Sequence, residues 1–87
     1  MLKTRILAFT ISTIMMVGPS FAASCYNLWY ERNQIYDDNG FCFKTALGKR
    51  TFDNSDCYTS HVNLSSDEQD QVDSIVAEER RKHCHVN

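Results

Sequence analysis

Ser24-Cys25-Tyr26-Asn27-Leu28-Trp29-Tyr30-Glu31-Arg32-Asn33-Gln34-Ile35-Tyr36-Asp37-Asp38-Asn39-Gly40 is the stretch that decides the fold. At 100° per residue, Leu28, Ile35, Trp29, Tyr36 and Cys25 fall within an arc of roughly 120°, the apolar face of a helix. Tyr26, Tyr30, Asn33 and Asp37 lie opposite. Ser24 is a ready N-cap and Asn39-Gly40 a ready stop, so a helix is expected over about 25–37.

Downstream, Phe41-Cys42-Phe43 reads as a short extended piece that feeds two rings into the core. Residues 44–63 turn polar. Gly48-Lys49-Arg50 and Asp53-Asn54-Ser55-Asp56 are turn chemistry, with Phe52 and Tyr58 expected as anchors. The second helix, about 66–84, has a clearer start: in Ser65-Ser66-Asp67-Glu68 the Ser65 hydroxyl meets the Glu68 N–H while the Glu68 carboxylate reaches back. Acidic residues open this helix and Arg80-Arg81-Lys82 close it, which matches the helix dipole. Its apolar stripe is only Val72, Ile75 and Val76, enough to cover one neighbouring helix. The expected fold is therefore a small disulfide-stabilised α-rich domain: two helices joined by an irregular segment with room for a short hairpin.

Upstream of Ser24 the chain reads as an export signal. Lys3 and Arg5 precede an uncharged run over residues 6–18, and Ser20 and Ala22 are small residues at −3 and −1. Cleavage after Ala22 divides the 87 residues into a leader, 1–22, and one domain, 23–87. The apolar run is shorter than the roughly 20 residues of a spanning helix, so no transmembrane helix is expected after cleavage. Ala22-Ala23-Ser24-Cys25 also resembles a lipoprotein box, with lipid attachment at Cys25 as a minor option.

All four cysteines follow the leader, and an even number in a small exported chain implies disulfides. Cys42 and Cys57 flank the polar middle, while Cys25 and Cys84 stand at the ends of the folded part. Of the three possible pairings, Cys42–Cys57 with Cys25–Cys84 is favoured. On the loop-entropy view these contribute about 3 and about 4 kcal/mol. Separations of 17, 15 and 27 positions, without Cys-x-x-Cys, do not suit zinc. No metal or other cofactor is expected, and His83-Cys84-His85 is read as the end of the chain rather than a ligand set.

The whole chain holds 9 Lys+Arg and 11 Asp+Glu; removing Lys3 and Arg5 leaves seven against eleven, a net charge of −4. That balance argues against nucleic acid, whose affinity for proteins rests on lysines and arginines. Arg32 falls inside the apolar arc of the first helix, and Glu68, Glu79 and His83 inside that of the second. A buried guanidinium without a partner costs several kcal/mol, so Arg32 is expected to pair with Glu68 or Glu79. The alternatives are that it snorkels to solvent or reads a ligand.

Leu28-Trp29-Tyr30-Glu31-Arg32-Asn33-Gln34-Ile35-Tyr36, followed by Gly40-Phe41-Cys42-Phe43, resembles the YARHG domain, whose pattern runs approximately L-W-x-x-R-N-x-I-Y-A-R-H-G-Y-x-F. Tyr36 and Gly40 match the ends of the namesake motif, but Asp37-Asp38-Asn39 replace its Ala-Arg-His centre. Phe52 matches a family phenylalanine, Cys57-Tyr58 stands where many members have Trp-Tyr, and Leu64-Ser65-x-x-Glu68 matches the start of the closing helix. The similarity spans nearly all of residues 26–84. It implies a small cell-envelope module without an established activity, often joined to other exported domains. Any ligand contact made by the family's arginine or histidine is lost or inverted here.

No catalytic residues are expected. Asp37 and Asp38 are adjacent carboxylates at a helix end, Ser65 is occupied as a cap, and oxidised cysteines offer no thiolate. The expected function is a non-enzymatic binding or interaction domain, periplasmic or secreted, whose partner is an unidentified cell-envelope component or protein. Its candidate surface is Tyr26, Tyr30 and Asn33, continuing to Asp37 and Asp38. The alternative is a cell-wall hydrolase or hydrolase accessory.

Overall fold

The computed structural model describes residues 23–86; the leader proposed for 1–22 lies outside them. Three helices follow in order: α1, Cys25–Asp38; α2, Ala46–Thr51; α3, Ser66–Arg81. Among the described residues no helix is long and apolar enough to cross a membrane.

The two long helices start as local chemistry dictates. The Ser24 hydroxyl accepts from the Asn27 N–H at 3.0 Å. Ser65 accepts from the Glu68 N–H at 3.1 Å while Glu68 Oε1 takes the Ser65 N–H at 2.9 Å, completing the capping box.

Both also end in the same way. Behind α1 the Gly40 N–H donates to the Asp37 carbonyl at 3.0 Å and the Phe41 N–H to the Tyr36 carbonyl at 3.1 Å. Behind α3 the His83 N–H donates to Arg80 at 3.1 Å and the Cys84 N–H to Glu79 at 2.9 Å. These are Schellman ends, which need one residue with positive φ. Gly40 takes it at 82° and His83 at 56°. That turn is why α3 stops at Arg81 instead of running to 84: a left-handed residue cannot continue a right-handed helix.

The helices run antiparallel, tied near both ends. Cys25 is bonded to Cys84 with their Cα atoms 5.4 Å apart, and at the opposite end Asn39 Nδ2 donates to Glu68 Oε2 at 3.1 Å. The second disulfide, Cys42–Cys57, spans 15 positions and closes the middle segment.

That segment departs from expectation in two respects. Gly48-Lys49-Arg50 is not a turn but part of α2, capped by the Thr45 hydroxyl, which accepts from the Gly48 N–H at 3.0 Å. Gly48 is needed because a Cβ there would stand 2.9 Å from Phe43 Cδ1. No hairpin forms among the described residues; a single parallel β-bridge joins Phe41 to Thr59. Parallel neighbours need a crossover, and α2 lies in it. Asn54 then replaces a strand partner: its Oδ1 accepts the Phe43 N–H at 3.0 Å and its Nδ2 donates to the Phe43 carbonyl at 2.9 Å.

The core is aromatic. Trp29, Phe43 and Phe52 form its buried centre, with Tyr36, Phe41, Leu47 and Val86 packed around them. Phe43 stacks on Phe52 at 4.8 Å between centroids, and Phe41 meets Phe43 edge-on at 5.0 Å. Leu28 and Val72 are the buried aliphatics of the two long helices.

Candidate functional site

Each residue of the surface expected from sequence has a different fate. Tyr26 is 46% exposed, its ring 5.5 Å from Trp29 and 6.3 Å from Tyr30. Tyr30 is exposed at its rim, yet its ring lies 5.2 Å from that of Phe52 and so belongs partly to the core. Asn33 is not a surface residue: it is buried, and its Nδ2 donates to the Trp29 carbonyl at 2.8 Å. The apolar arc is wider than expected because two bodies cover α1. The other long helix takes one side and the rings of the middle segment take the other, sweeping Asn33 inward.

Asp37 and Asp38 stay at the far end of α1. Asp38 accepts from Gln34 Nε2 at 3.0 Å, and Asp37 is partly buried. Burial raises the Asp37 pKa above the ordinary range, and repulsion from Asp38, Asp56 and Asp53 adds to it. Asp53 itself is held below its ordinary value because the Ser55 N–H and hydroxyl both donate to it. No group of three or more metal-ligating side chains gathers among the described residues.

Arg32 pairs with Glu79, not Glu68. Its Nε donates to Oε1 at 2.9 Å and another guanidinium nitrogen, Nη2, to Oε2 at 3.1 Å, with the side chains 25% and 14% exposed. Glu68 is occupied elsewhere, by the Ser65 N–H and the Asn39 amide, which lower its pKa in that order of importance. An opening of about 480 Å3 adjoins the ion pair and is bordered by Val76, Arg80, His83 and Val86. Its cations follow from the dipole of α3, and Cys84 beside it is spent in a disulfide.

Tyr58, like Asn33, lies where the sequence did not place it. Expected as an anchor of the middle segment, it is 77% exposed, the most exposed large hydrophobic side chain among those described. It lies over Gly40, so closely that any Cβ on that glycine would collide with the ring. The Tyr58 and Thr59 N–H groups both donate to the Gly40 carbonyl, at 2.9 and 3.1 Å, and the Cys42 N–H donates to Thr59 at 2.8 Å. Cys57, one residue earlier, is in the disulfide to Cys42. A shallow cleft of about 260 Å3 opens beside the ring, lined by Asn39, Thr59, His61 and Asn63. The signal available in the sequence was Gly40: a glycine that ends a helix also offers a flat bed for an aromatic ring.

The profile of the YARHG domain matches residues 18–80. The chain belongs to the YARHG domain family. No curated protein and no solved structure matches it significantly. Within this YARHG domain, the motif positions Tyr36 and Gly40 are both structural. Tyr36 packs edge-on against Phe41 at 5.5 Å, and Gly40 supplies the positive φ and the bed for Tyr58. The substituted centre, Asp37-Asp38-Asn39, faces two ways: the aspartates build a negative end, and Asn39 ties α1 to α3.

Proposed function

We propose that this YARHG domain is an exported, non-catalytic binding module of the bacterial cell envelope. Export is supported by two disulfides, with no free cysteine among the described residues, since such bonds persist in oxidising compartments. With its sulfur bonded to Cys84, Cys25 has no thiol to carry a lipid, which favours a free over a lipid-anchored domain.

The observation that carries the binding reading is Tyr58. An aromatic ring at 77% exposure is ordinary when it is mobile; here the backbone around it is bonded on both sides and the ring rests on Gly40. A ring held in place before contact loses little freedom on binding, the property that makes tyrosine effective in recognition surfaces.

The test is retention of the purified exported protein on washed cell-envelope fragments. Wild type is expected to be retained and Tyr58→Ala to be released, with no soluble product formed. Equal retention of the two proteins counts against the reading. Released fragments that accumulate with time support the hydrolase alternative.

A further inference from the structure

We infer that the cleft beside Tyr58 is a subsite for a neutral sugar ring, a deepening that rests on the binding role just proposed. Its border is chemically selective: Asn39, Tyr58, Thr59, His61 and Asn63 include no carboxylate, lysine or arginine. On a chain in which 23% of residues are charged, a border with no carboxylate, lysine or arginine of its own suits an uncharged ligand rather than a phosphate or a carboxylate.

Two kinds of contact serve a sugar, and both are present. The C–H face of a pyranose packs on an aromatic ring, and Tyr58 has one face on Gly40 and the rest open. Hydroxyl groups need donors and acceptors at the rim, a chemistry that side-chain amides supply from one group. Asn39 is already oriented, because its Nδ2 donates to the Ile35 carbonyl at 2.8 Å and to Glu68 at 3.1 Å; its Oδ1 remains as an acceptor. Asn63 and Tyr58 are both exposed, which puts an amide and a phenol hydroxyl within reach of a ligand. Thr59 fixes the neighbouring turn: its hydroxyl accepts the His61 N–H at 2.9 Å and donates to the His61 carbonyl at 2.9 Å. The cleft holds about 260 Å3, the scale of one ring rather than an extended chain.

The experiment is a titration of the isotope-labelled exported protein with the trimer of N-acetylglucosamine, with cellotriose, and with trigalacturonate as an anionic control. Amide signals of Gly40, Tyr58, Thr59 and His61 are expected to move with either neutral trimer and not with the anionic one. Tyr58→Ala is expected to weaken binding about tenfold, and Tyr58→Phe to stay within about threefold of wild type, since stacking needs the ring and not its hydroxyl. Unchanged disulfides and thermal midpoint show that either variant is folded. Asn63→Asp, which adds a charge at an exposed position, is expected to weaken the neutral trimers as well. No movement with any neutral trimer at millimolar concentration, or movement confined to the opening near Arg80 and His83, overturns the sugar assignment. If envelope retention still depends on Tyr58 in that case, the binding role stands with a partner that is not a sugar. If retention does not depend on it either, both readings fall.

Discussion

Arg32 and Glu79 meet through two parallel hydrogen bonds, at 2.9 and 3.1 Å, across the interface of α1 and α3. Arg32 stands midway along α1, between the Cys25–Cys84 bond at one end and the Asn39–Glu68 bond at the other, so the charge fork joins the helices between their two end ties. Arginine suits this place because its planar guanidinium fits a carboxylate with two donors.

Breaking the pair from one side leaves the other charge poorly solvated. Glu79→Ala is expected to destabilise the oxidised protein by about 2–3 kcal/mol, below the figure for a fully buried pair because the site is partly wet. Replacing both residues with leucine is expected to restore most of that loss. Urea unfolding of Arg32→Leu, Glu79→Leu and the variant carrying both measures the coupling; a value near zero would show that Arg32 is effectively solvated.

The disulfides close loops of different length, with separations of 59 and 15 positions. Removing Cys25–Cys84 by paired serine substitution is expected to cost about 4 kcal/mol, and removing Cys42–Cys57 about 3. A core of a few rings supplies little surplus stability, so full reduction is expected to abolish cooperative unfolding at room temperature. Circular dichroism against temperature, with and without reductant, checks this.

The two Schellman ends make opposite predictions. His83 occupies a left-handed position with φ 56°, so His83→Gly is expected to stabilise by about 0.5–1 kcal/mol. Gly40→Ala meets both the unfavourable φ of 82° and the Tyr58 ring, and is expected to destabilise by more than about 1 kcal/mol. Thermal midpoints of the two variants against wild type decide.

Acid acts through Glu68 and Asp37 with opposite signs. The Glu68 carboxylate is favoured by the Ser65 N–H and then the Asn39 amide, so its contribution is complete above its ordinary pKa of 4.5 and is lost as pH falls through the lowered value. Asp37, raised first by burial and then by its acidic neighbours, disfavours folding once ionised, above its raised pKa. Asp37→Asn is therefore expected to stabilise at neutral pH, by a few tenths of a kcal/mol, the scale of screened surface charges. The advantage should shrink as pH falls, vanishing below the ordinary value of 3.8, where the wild-type carboxyl is protonated in both states. Stability curves of both proteins from pH 7 to 3 carry the test; an advantage that persists at pH 3 would rule out charge as its cause.

Three helix termini were legible in the residues alone, each with its partner within a turn; the end of α3 was not, because histidine gives no sign that it will take a left-handed φ. Ser24 with Asn27, Ser65 with Glu68, and Gly40 behind α1 each complete a bond a few positions away. The short α2 was hidden because glycine weakens a helix; only the close approach of Phe43 makes Gly48 the fitting residue. Whether Arg32 met Glu68 or Glu79, whether Asn33 was buried and whether Tyr58 was exposed depended on contacts distant in the chain. Helical periodicity assigns angles around an axis, but it does not state how many bodies cover that axis. The antiparallel register of α1 and α3 settles the first, and the middle segment, pinned by Cys42–Cys57 and wrapped over α1, settles the other two, because burial is set by everything that packs on a side chain and not by its neighbours in sequence.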